Sequence, residues 1–78
     1  MAPSTLENYV YDLGHILKAE AVQAAAKRDD ARPEKRSFYE GLSLGYINVL
    51  QLVLSQAKAF DLEPKMFRLD NFNPDDLL

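Results

Sequence analysis

"FYEGLSLGYINVLQLVL", residues 38–54, decides the fold. Phe38, Leu42, Tyr46, Val49, Val53, Ala57 and Phe60 recur at steps of three and four, the spacing of one face of an α-helix. Leu44, Ile47, Leu50, Leu52 and Leu54 add apolar surface well outside that stripe, leaving only a thin polar seam at Glu40, Ser43, Asn48, Gln51, Ser55 and Lys58. A helix apolar around most of its circumference is one surrounded by protein. A single neighbouring helix cannot cover it. The stretch also carries Gly41 and Gly45 four residues apart, and each interior glycine costs about 1 kcal/mol relative to alanine. Sharing a face, they leave a shallow groove where another helix backbone can approach, as small residues at this spacing allow between membrane helices. The contact can be with the first helix, near Gly14 and its alanines, or with a second subunit. Gly41, Leu44, Gly45, Asn48 and Leu52 are the packing candidates.

Working outward, the segment before this helix is "DDARPEKRS", charged, containing Pro33, and without an apolar residue larger than alanine. Two starts for the second helix are open. Pro33 suits a first helical position, while Ser37 with Glu40 three residues on makes a capping box. The preferred boundaries are a loop over 29–33 and a helix over 34–60. Upstream, "STLE" at 4–7 is a capping box, and Leu6, Tyr9, Val10, Leu13, Ile16 and Leu17 follow at helical spacing. "KAEAVQAAAKR" continues in strong helix formers, and Lys27 and Arg28 suit a helix C-terminus. The first helix is therefore expected over residues 5–28. A loop this short requires the two helices to be antiparallel.

Beyond Phe60 the pattern breaks. "DLEPKMFRLDNFNPDDLL" has Pro64, placed to open a short helix, and "NPDD", where Asn73 can cap a turn begun by Pro74. Leu62, Met66, Phe67, Leu69, Phe72, Leu77 and Leu78 are too many apolar residues for a disordered acidic tail. Some are expected to fold back onto the second helix. The expectation is one all-α domain spanning 1–78: an antiparallel two-helix hairpin with an irregular or helical tail over 61–78, dimerising into a four-helix arrangement.

Composition bounds the function. At 78 residues the chain is a small domain, of a size that leans on disulfides, a metal or a partner subunit. It has no cysteine and a single histidine, which argues against disulfides and zinc and leaves oligomerisation. Residues 1–60 carry seven acids and seven bases; the tail carries Asp61, Glu63, Asp70, Asp75 and Asp76 against Lys65 and Arg68, so the net charge of −3 sits in the tail. "MAPSTLENYV" has neither the basic nor the apolar region of a signal peptide, and the apolar stretch near Leu42–Leu54 is too short and polar to span a bilayer. A cytoplasmic protein is expected.

The second helix also resembles a family of small, uncharacterised bacterial helical proteins. The likeness lies in Phe38, Glu40, Gly41, Gly45–Tyr46, Val49–Leu50, Gln56–Ala57 and Phe60, and in the ending "NPDDLL". It covers about half of the chain and implies no activity. The hairpin architecture is similar to acidic helical immunity proteins, which dimerise and block a bacterial toxin; this is an analogy of fold.

No catalytic constellation is legible, and no enzyme activity or cofactor is expected. His15 stands alone and reads as a hydrogen-bonded structural residue. Asp29–Asp30 and Asp75–Asp76 are adjacent pairs, which do not share a helix face. "KRDDARPEKR" dilutes five bases with three acids in a chain of pI about 4.9, which opposes nucleic-acid binding. The expected class is a protein-binding module: an acidic inhibitor or immunity-type protein docking on a basic partner, with a self-assembling structural or adaptor homodimer as the alternative. Glu63, Asp70, Asp75 and Asp76 around Phe72, Leu77 and Leu78 form the candidate partner-binding rim.

Overall fold

The structure is a computed structural model that describes residues 4–78. Helix α1 spans Thr5–Asp30 and helix α2 spans Pro33–Ala59. Two 3-10 turns follow, Pro64–Phe67 and Pro74–Leu77. There is no strand among the described residues. The two helices run antiparallel and pack along their length, giving a body of 50 × 22 × 17 Å.

The helix starts follow from local chemistry. Ser4 Oγ accepts from the Glu7 backbone N–H at 3.1 Å, and Glu7 Oε1 accepts from the Ser4 N–H at 3.3 Å, completing the capping box. α2 begins at Pro33, with Arg32 at the cap position and no side-chain cap. Ser37 therefore lies inside the helix. Proline there needs no donor, so the first turn forms without a capping hydroxyl. Both 3-10 turns also begin with proline, and Asn73 Oδ1 caps the second by accepting from the Asp75 N–H at 3.1 Å.

The interface between the helices is thin-skinned on one side and branched on the other. α1 contributes Ala21, Ala24 and Ala25, all buried. α2 contributes Ser43, Ile47, Leu50 and Ala57. The stripe on α2 that faces α1 is thus Ser43, Ile47, Leu50, Leu54 and Ala57. Of the stripe read from the sequence, Ala57 is buried and Tyr46 and Val53 are half-buried, while Phe38, Leu42, Val49 and Phe60 are exposed. Two apolar stripes coexist on this helix, both at steps of three and four, and periodicity alone does not say which meets the small face of α1. The same holds on α1, where Leu6, Tyr9, Leu13 and Ile16 point outward.

The tail is the third wall of the core. Leu69 is fully buried in one cluster with Ala21 and Leu50. Leu17, Tyr46, Val53, Leu54, Phe67, Phe72 and Leu77 pack around them. The first 3-10 turn lies on α1 and the second mainly on α2, so the tail crosses the hairpin rather than lying along α2 alone. The close backbone approach in this protein is here, at Gly14. A Cβ added to Gly14 would overlap the carbonyl oxygen of Phe67 and lie 2.7 Å from its carbon. Gly41 and Gly45 have no neighbour within 4 Å of such a Cβ among the described residues. They do not pack against α1.

Candidate interaction surface

One basic side chain pins the three walls together. Arg28 Nη1 donates to Ser43 Oγ at 3.1 Å and to the Leu77 carbonyl oxygen at 2.6 Å. Its Nε donates to Asp29 Oδ1 at 3.0 Å. The hydrogen bond from Arg28 holds the Asp29 carboxyl below its ordinary value of 3.8, with the attraction of Arg28 and Arg36 adding to it. Arg28 thereby anchors the end of the tail to both helices. Ser43, which reads as part of a polar seam in sequence, is buried because it accepts this bond.

The tail candidates divide accordingly. Leu77 is half-buried in the core cluster, and its carbonyl belongs to Arg28. Phe72 is half-buried, with Lys18 Nζ 5.2 Å from its ring centre. Asp75 is exposed but accepts a hydrogen bond from Gln51 Nε2. Glu63 pairs with Lys65 at 3.1 Å on the surface. Asp70, Asp76 and Leu78 are exposed. Most of the apolar groups within the acidic rim therefore point into the molecule.

The large exposed surface lies elsewhere. Phe38 and Leu52 are 67% and 60% exposed, and Leu42, Leu44 and Val49 are also open. Gly41, Leu42, Gly45, Tyr46 and Val49 line a shallow groove of about 300 Å³. On α1, Tyr9, Leu13 and Ile16 line a second open groove. Counting 3.6 residues per turn, Phe38, Leu42, Gly45, Val49 and Leu52 sit about 130° around α2 from its buried line. Tyr9, Leu13 and Ile16 sit about 100° around α1 from its own, in the same rotational sense. In an antiparallel pair, equal senses fall on the same side. Tyr11, Lys18 and Gln51, which meet Arg68, Phe72 and Asp75 of the tail, fall on the opposite side. One broad side of the hairpin is thus covered by the tail. The other is left open by the tail: its α2 half is apolar from Phe38 to Leu52, and its α1 half carries Tyr9, Leu13 and Ile16 together with the exposed Glu20 and Lys27.

A further hollow of about 350 Å³ lies at the open end, where Leu6, Val10 and Tyr11 meet Leu62, Met66 and Phe67. Its walls are apolar apart from Glu7 and Asn8 at the start of α1. His15 is exposed on α1. Among the described residues there is no group of three or more His, Asp or Glu side chains placed to hold a metal, and no helix long and apolar enough to cross a membrane. No family model matches the chain, and no curated protein or solved structure is found to be similar to it. The surface must therefore be read on its own physical terms.

Of the packing candidates, Gly41, Leu44, Gly45, Asn48 and Leu52 are all exposed. Gly41, Gly45 and Leu52 belong to the bare side, with Asn48 at its margin. Of the residues that hold the tail, Arg28 is outside the sequence candidates, while Gly14 enters that reading as a helix–helix contact and Leu69 as one of the apolar tail residues. The signal for Arg28 was a charge at the end of an alanine-rich stretch that a dipole argument accounts for equally well.

Proposed function

We propose that this chain is a non-enzymatic protein-binding module that engages its partner through the bare apolar side of the hairpin. The observation carrying this reading is the continuity of Phe38, Leu42, Val49 and Leu52 with the glycine groove. Monomers seldom expose contiguous apolar surface on this scale unless it is an interaction site. The apolar centre is depleted of charge: between Phe38 and Leu52 the one charged residue is Glu40, which pairs with Arg36 off the face. That is the composition of an interface core.

A second reading, the acidic immunity-type inhibitor, is favoured by the location of the net charge. Asp70 and Asp76 stand exposed on the tail side, and acidic surfaces steer association with basic partners. The two readings separate in one experiment. Proteins captured from host extract are compared for the native chain, for Phe38→Asp with Leu52→Asp, and for Asp70→Asn with Asp76→Asn. The apolar-face reading expects capture to fail with the first pair and survive the second. Capture lost only with the second pair, and weakened by salt, supports the acidic inhibitor and removes the apolar face from recognition.

A further inference from the structure

We propose that the occupant of the bare face is a second copy of this chain, with α2 packed antiparallel on its counterpart about Gly45. The inference rests on the reading that this face binds protein.

Surface area is the first argument. The accessible surface is 5820 Å². Folded monomers of 8.8 kDa follow a scaling that gives about 4,800 Å². The excess of roughly 1,000 Å² is close to the ~800 Å² per partner that a standard specific interface buries.

Self-complementarity is the second. A twofold interface requires that if residue i meets residue j, then j meets i. An antiparallel register centred on Gly45 sets Gly41 against Val49 of the second copy, and Val49 against its Gly41. Phe38 meets Leu52, and Leu42 meets Asn48. The branched residue falls opposite the notch on both sides, and glycine meets glycine at the axis, where the backbones are closest. No described residue occupies either notch. The register opposes no two like charges between Phe38 and Leu52, because Glu40 is the single charged residue there. The body as a whole, residues 1–60, is neutral, so two copies meet without net repulsion. The tail, which holds the whole net charge, is on the far side. The product is a four-helix arrangement with α1 and the tail of each copy outside.

The absence of cysteine makes the test direct. A cysteine introduced at an axis residue faces its own copy. Gly45→Cys should oxidise to a disulfide-linked dimer at micromolar concentration, whereas Lys58→Cys, on exposed helix surface outside this register, should not. Sedimentation equilibrium of the native chain should give a dimer. Leu52→Asp, which alters an exposed side chain, should keep the helical circular dichroism and raise the dimer dissociation constant more than tenfold. A monomeric native chain across the micromolar range overturns the inference and leaves protein binding by this face intact. A dimer that survives Leu52→Asp, or that cross-links equally through residues 45 and 58, overturns it as well.

Discussion

Three glycines in similar helical surroundings have opposite roles, and side-chain volume separates them. Gly14 is required, because the Phe67 carbonyl occupies the place of its Cβ. Gly14→Ala should cost at least the ~1–3 kcal/mol of an overpacked site, since backbone cannot step aside as a side chain does. Gly41→Ala meets nothing among the described residues. At concentrations too low for self-association it should stabilise the fold by up to about 1 kcal/mol through helix propensity. Chemical denaturation of both variants at high dilution measures the pair, and equal effects would remove the distinction. Arg28 is the second decisive residue. Arg28→Met keeps most of the buried stem but abandons Ser43 Oγ and the Leu77 carbonyl. A loss of about 1.5–3 kcal/mol is expected, with faster hydrogen exchange over residues 69–78. Asp29 supports that anchor with a carboxyl whose folded value lies below 3.8. Its contribution is therefore complete above that value and is lost as pH falls through the lower one, where Asp29→Asn should already show the acid form's behaviour. At pH 7 the exposed Asp29 acts by orienting Arg28, which an asparagine oxygen can partly reproduce.

At the scale of elements, the tail is a structural clip. Leu69 is as buried as Leu50, although it lies in irregular chain. Leu69→Ala should cost about 2–5 kcal/mol, the range for a core helix leucine, as measured by thermal or denaturant unfolding. A cost below 1 kcal/mol would mean that the tail is not part of the cooperative core. The helices and their antiparallel order were legible because long periodic segments, a capping box and a proline-marked loop all agree. Pro64, Asn73 and Pro74 were legible for the same reason, since each has its own local chemistry. The path of the tail was not. It turns through left-handed backbone at Asp61, Arg68 and Asn71, none of them glycine, and nothing in the local sequence marks Arg68 for that conformation. Its side chain lies 5.1 Å from the Tyr11 ring centre, a long-range contact that supports the turn. The buried stripe of α2 was illegible for a different reason. The helix carries two apolar stripes of equal period, and the choice between them is made by the alanines of α1 together with the tail.

For the whole molecule, these facts combine into one division of labour. Small residues on α1 let α2 come close, the tail closes one broad side through Gly14, Leu69 and Arg28, and the other side keeps Phe38, Leu42, Val49 and Leu52 uncovered. The central claim is that intermolecular contact belongs to this bare side and the tail is satisfied within its own chain. Hydroxyl-radical footprinting across a dilution series tests it most directly. Labelling of Phe38, Leu42 and Leu52 should fall as concentration rises through the micromolar range, while Phe67, Leu69 and Phe72 stay equally protected throughout. Concentration-dependent protection of the tail residues, with Phe38 and Leu52 labelled equally at every concentration, would contradict the account.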